Sequence, residues 1–171
     1  MWFPRELLSP GKFWLNQGIS GDTTRGVLQR LSALAATRPN EIYVMAGIND
    51  IRLGRSDGEI LSNLRAIARE LKQQHPQARI YLQSILPTRY AAIAPSRLRY
   101  LNQNIAAIAR QEGAIFVDLS PQFASAGGVL TRELTTDGLH LSHLGYRVWQ
   151  AEMQRARYLD PRGLPFLSQG Y

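Results

Sequence analysis

The amino-acid sequence predicts an α/β fold, a mainly parallel sheet covered by helices on both faces. Three observations carry that expectation. Short apolar runs alternate with longer stretches whose apolar residues recur at helical spacing. One run, residues 41–46 (EIYVMA), is nearly continuous rather than in–out alternating, as strands buried on both faces are. Polar, glycine-containing stretches follow the runs, where ligands bind in such sheets. At 171 residues and 44% hydrophobic content, the chain suits one domain, 1–171, with a full-sized core.

The elements follow in order. Residues 13–15 (FWL) read as a short strand ending at Asn16. Asp22 or Thr23 can cap a helix running to about residue 36, with Val27, Leu31, Leu34 and Ala35 on one face. Residues 41–46 (EIYVMA) form a buried strand. Ser56 and Glu59 have capping-box spacing and open a helix to about Gln74, with Ile60, Leu64, Ile67, Ala68 and Leu71 inward. Residues 79–85 (RIYLQSI) are the next strand, and Pro87 marks the loop after it. Leu98, Leu101, Ile105 and Ile108 lie on one helical face, and Gly113 stops that helix. Residues 114–119 (AIFVDL) are the last strand. An irregular stretch with Gly127-Gly128 leads to TTDGLHLS. A final helix starts near Ser142 and carries Leu144, Val148, Trp149 and Met153. The tail 160–171, rich in Pro and Gly, is expected on the surface. Trp14, Phe116 and Trp149 read as core, His75 as a surface residue, and His143 as part of the last helix's first turn or of a cleft rim.

Composition narrows the function classes. The chain has no cysteine, which excludes disulfides, thiolate metal sites and a cysteine nucleophile. The formal charge is +7, but the arginines are scattered among apolar and acidic neighbours. No basic run alternates with aromatics, so a solvated basic surface is expected and nucleic acid is not. No apolar run approaches the roughly 20 residues of a membrane-spanning helix. The opening, MWFPRE, lacks a secretory pattern. Cytoplasm is the default compartment, and oligomeric state is left open.

Three motifs carry chemistry. In TTDGLHLS, Asp137 and His140 are three residues apart. The carboxylate can accept the imidazole Nδ1–H, fixing the tautomer and freeing Nε2 as a base. The same residues also suit a plain helix-entry loop. In AGIND, Asn49 follows a buried strand and can donate N–H bonds over the strand ends, as a developing oxyanion requires, or can bond its own backbone in a turn. In NQGISGDTT, Gly21 precedes a helix, so its N–H is a second possible oxyanion donor; the alternative is simple helix entry.

Together and in this order, the motifs resemble the SGNH, or GDSL, hydrolase family of esterases and lipases, over nearly the whole chain. The segment SILPTR (84–89) also resembles bacterial members related to platelet-activating-factor acetylhydrolases. The resemblance implies a three-layer α/β/α, flavodoxin-like fold with a parallel sheet of order 2-1-3-4-5. It implies His140 as general base, Asp137 as its orienting partner, and Gly21 (backbone N–H) and Asn49 (side chain) as the oxyanion hole. The reaction would be hydrolysis of a small-molecule ester through a serine acyl-enzyme, with no metal and no organic cofactor.

The family's nucleophile sits in a Gly-Asp-Ser turn after its first strand, and this sequence has neither. Its opening, residues 1–12, resembles the helix that follows that turn. Met1 is therefore expected to be an internal methionine, or the sequence a fragment, with the first strand and serine upstream. Ser9, Ser20 and the Gly21-Asp22-Thr23 triplet are poor substitutes, Ser20 the least poor. Two readings stay open: an esterase whose serine lies upstream, the printed chain being weakly active or inactive, and a non-catalytic relative that binds through the same cleft.

Overall fold

The computed structural model describes residues 4–8 and 11–159. Its sheet has three parallel strands, β1 (Glu41–Val44), β2 (Arg79–Gln83) and β3 (Ile115–Val117), in the order β1-β2-β3. Glu41 pairs with Arg79 and Val44 with Leu82; Tyr81 pairs with Ile115 and Gln83 with Val117. All three carboxyl ends therefore share one edge of the sheet.

Helices connect and cover the strands: α1 (Thr24–Gln29), α2 (Ile48–Arg52), α3 (Asp57–Gln74), α4 (Pro95–Gln111), α5 (Ser120–Phe123) and α6 (His143–Leu159). Successive strand residues point to opposite faces, and the core divides accordingly. Ile80 and Leu82 pack with Ile60, Leu64 and Ile67 of α3 and Leu101 and Ile105 of α4. Tyr81 and Val117 pack on the other face with Leu119, Phe123 and Leu130, backed by Trp149 and Met153 of α6. The result is the three-layer α/β/α arrangement that the strand and helix alternation predicts.

Helix ends obey the capping signals. Ser56 Oγ accepts from Glu59 N at 3.1 Å at the start of α3, and Thr23 Oγ1 accepts from Gly26 N at 3.2 Å at the start of α1. At the amino end of β1, the Glu41 carboxylate gathers Tyr43 O–H (2.7 Å), Lys12 (3.3 Å), Arg157 (3.1 Å) and Arg79. Burial alone would raise its pKa, but the Tyr43 hydrogen bond and the Arg157, Lys12 and Arg79 cations hold it below the usual value. The same burial, with the bond to Glu41, pushes the Tyr43 hydroxyl up. This cluster fastens α6 and β2 to the first residue of β1.

Four expectations need correction. Residues 13–15 form no strand: Phe13 is fully exposed and Leu15 is 62% exposed. Apolar composition does not make a strand without a neighbour to bond to, and none of the three strands pairs with this segment. Trp14 is 40% exposed rather than core, stacked on Tyr43 with centroids 6.0 Å apart. The helix expected from Asp22 or Thr23 to residue 36 ends at Gln29; Arg30 departs from helical angles (φ −106°, ψ 3°), and a 3-10 turn, Leu31–Leu34, carries Leu31 into the core. His75 is buried, because the chain turns under α3 there: Ala78 N donates to His75 O at 2.9 Å on the way into β2. Within 1–12, the described ordered element is a 3-10 turn, Arg5–Leu7. The tail 160–171 lies outside the described residues.

Candidate active site

Asp137 and His140 are joined directly. The imidazole Nδ1 lies 2.6 Å from Asp137 Oδ2, while Asp137 Oδ1 accepts from the backbone N–H of Leu139 (2.9 Å) and of His140 (2.8 Å). Three donors on one carboxylate hold its pKa down to about 2, the His140 ring contributing most. The ionised carboxylate can accept the Nδ1–H, the tautomer in which Nε2 carries the free lone pair. The two side chains are 47% and 57% exposed.

Local bonds shape this turn. Thr135 Oγ1 donates to His140 O (2.7 Å) and accepts from Gly138 N (2.8 Å). Gly138 has φ +91°, and a Cβ there would lie 3.0 Å from Arg89 Cβ. That close approach seats the turn on the segment after β2, where Arg89 N and Thr88 Oγ1 both donate to Gly138 O, at 2.8 and 2.9 Å. The SILPTR segment is thus the floor beneath the Asp137–His140 turn. After it, Ser142 Oγ accepts from Gly145 N at 3.2 Å and starts α6, which places His143 in the first helical turn, 63% exposed on its side chain.

The two donor candidates meet at a second place. Gly47 ends the β1 connection with φ +123°, a conformation that favours glycine; a Cβ there would also press on the tip of Ile85, with Cδ1 at 2.6 Å. Asn49, in the first turn of α2, donates through Nδ2 to Asp22 O at 2.9 Å. Its amide carries two N–H groups, so one remains. Gly21, next to Asp22, has φ +78°, and its N–H has no acceptor among the described residues.

Sequence reasoning missed what locks these two segments. Asp50 is fully buried and accepts from Thr24 N (2.9 Å) and Thr24 Oγ1 (2.7 Å); Asn63 of α3 donates to the same hydroxyl at 3.0 Å. The one available signal was an acidic residue directly after a buried strand and its glycine turn. Read locally, that pattern is an ordinary turn.

The structure therefore brings Asp137 to His140, and Asn49 to the Gly21 segment. No hydrogen bond joins one pair to the other among the described residues. A chain of contacts runs between them: Arg52 donates to Asn49 Oδ1 (3.3 Å) and lies over the Tyr90 ring, 5.4 Å from its centroid, and Tyr90 adjoins Arg89 on the floor of the His140 turn. Ser20 is exposed and makes no hydrogen bond to His140. Among the described residues, no three His, Asp or Glu side chains converge as metal ligands, and no helix is long and apolar enough to cross a membrane.

Comparison with known proteins identifies the family. The model of the GDSL-like lipase/acylhydrolase family matches residues 2–148. The platelet-activating factor acetylhydrolase IB subunit alpha1 of Pongo abelii is 36% identical over 149 residues, which are 83% of this chain and 62% of that protein. The Bos taurus protein of the same name is 35% identical over the same shares. The chain thus spans about three-fifths of the length of these relatives. Among solved structures, one from Streptococcus pneumonia is 30% identical at a TM-score of 0.81, over 90% of this chain and 77% of that one. A GDSL-like lipase from Bacteroides thetaiotaomicron is 25% identical at 0.74, over 82% and 73%. The chain belongs to the GDSL-like lipase/acylhydrolase family.

Proposed function

We propose that the chain carries the base and the oxyanion donors of a serine-type carboxylic ester hydrolase acting on a small acyl ester. The observation that carries this reading is the Asp137–His140 bond, which leaves Nε2 free as a proton acceptor. A surface turn has no need of an ionised carboxylate holding one imidazole tautomer; a general base does.

In the proposed reaction, His140 Nε2 takes the proton of a serine hydroxyl as its oxygen attacks the ester carbonyl. Charge gathers on the carbonyl oxygen, which the Gly21 N–H and the remaining Asn49 N–H stabilise. The imidazolium, steadied by Asp137, then protonates the departing alcohol. Water repeats the sequence to release the acid. The chemistry calls for neither metal nor organic cofactor. The relatives' names, an acetylhydrolase and a lipase, support an acyl ester as the substrate class.

The nucleophile would be a serine in a Gly-Asp-Ser turn, which the 171 residues lack. Without such a serine, the 171 residues by themselves would turn over weakly or not at all. The same lack favours a second reading, a non-catalytic protein that binds an ester or a related ligand at these residues. One assay separates them: hydrolysis of p-nitrophenyl acetate by protein extended with the upstream in-frame codons, beside its His140→Ala form. Turnover that His140→Ala abolishes supports the enzyme. Equal, background-level turnover in both supports the binding protein.

A further inference from the structure

Two neighbouring side chains at the start of α2 reach across to two residues of the Gly21 segment. Asn49 donates to Asp22 O, and Asp50 takes both the N–H and the hydroxyl of Thr24. Thr24 and Asp50 are each 0% exposed. The Thr24 hydroxyl gives its proton to Asp50 and accepts from Asn63, so its rotor has one setting. A buried carboxylate is a costly way to fill space, and a neutral side chain would fill it with less desolvation. What the carboxylate adds is two charge-assisted bonds of fixed direction, at 2.9 and 2.7 Å, to a residue three positions beyond Gly21.

We propose that Asp50 is a positioning residue for the oxyanion pocket: by clamping Thr24, it sets the spacing between the Gly21 N–H and the free Asn49 N–H. The proposal rests on the reading of those two groups as oxyanion donors. Asn49 makes one bond to the segment, at Asp22 O, and Arg30 ties Gln17 O and the Asp22 carboxylate to the end of α1. Asp50 ties the start of α1, through the N–H and hydroxyl of Thr24, to the helix that carries Asn49, and Asn63 joins the same hydroxyl to α3.

The test uses the 171-residue chain and acetate, a carboxylate of the product class, followed by 15N–1H NMR. In the wild type, acetate shifts the Gly21 amide and the Asn49 side-chain amide. In Asp50→Asn, acetate affinity falls about tenfold, a fraction of the roughly 10²-fold that an ångström of misplacement can cost. Thr24→Val, which removes only the hydroxyl bond, weakens it about threefold, in line with one hydrogen bond. Ile108→Val, in the last turn of α4, leaves it unchanged although the core is loosened. Should Asp50→Asn not fold, Thr24→Val carries the test. Unchanged affinity in the folded Asp50→Asn or Thr24→Val protein overturns the positioning role and leaves the oxyanion donors standing. A wild type whose Gly21 and Asn49 signals ignore acetate removes the oxyanion reading and this proposal with it.

Discussion

The base side and the donor side of the candidate site are built in opposite ways. Asp137 and His140 stand half in solvent; bonds within one short turn order the two side chains, and Thr88 and Arg89 anchor that turn through Gly138 O. Asn49 and the Gly21 segment are held from beneath by Asp50 and Thr24, which see no water at all. In the proposed reaction the His140 ring has to meet substrate at the surface, and a turn anchored to one neighbouring segment fixes it. The proposed oxyanion donors come from two segments far apart in sequence, and a buried attachment between those segments helps hold them at a constant offset.

The largest effect is expected of His140→Ala. In protein extended upstream through a Gly-Asp-Ser turn, it is expected to lower kcat for p-nitrophenyl acetate by about 10²–10⁴-fold, the usual range for a general base. Because the side chain is exposed, the melting temperature should hardly move. Asp50→Ala sharpens the donor side by the reverse signature. It strands the Thr24 N–H and hydroxyl in the core, at about 1–3 kcal/mol for each unpaired group, read as a lower urea midpoint. A midpoint unchanged from wild type would show that the clamp bears no strain.

Acid separates the two sides further. The Asp137 carboxyl titrates at about 2, below its ordinary 3.8. A depressed carboxyl contributes above the unfolded value and loses its contribution as pH falls through the folded one. The Asp137–His140 bond should therefore be complete above about pH 4 and lost toward pH 2, visible as a 13C carboxyl titration of Asp137. A midpoint near 4 would mean that the imidazole does not hold the carboxylate. The smallest effect belongs to the link between the sides. A double-mutant cycle on Arg52 and Tyr90 should give a coupling of about 0.5–1 kcal/mol, the size of an exposed cation–π contact.

Much of this was legible in the sequence because it is local. The capping box at Ser56 and Glu59 marked the start of α3, and the apolar runs marked all three strands within a few residues. Asp137 and His140 are close in sequence, so their bond follows from one turn. Residues 13–15 misled because a strand is a relation between two segments, and composition reports on only one. Asp50 was hidden for the same reason: its partner Thr24 lies 26 positions away, and an acidic residue in a turn looks the same whether it bonds its own backbone or a distant hydroxyl. His75 precedes a proline at a helix end, a surface pattern, yet the chain folds beneath it.

In the proposed site, Nε2 of His140 and the N–H groups of Gly21 and Asn49 face one substrate-sized space. Crystals of the 171-residue chain soaked in acetate would show it. A carboxylate is expected with one oxygen about 3 Å from both Gly21 N and Asn49 Nδ2, the distance expected of oxyanion donors, and with His140 Nε2 across the same space. Acetate bound at those donors with the His140 ring turned away on another face of the molecule would contradict it.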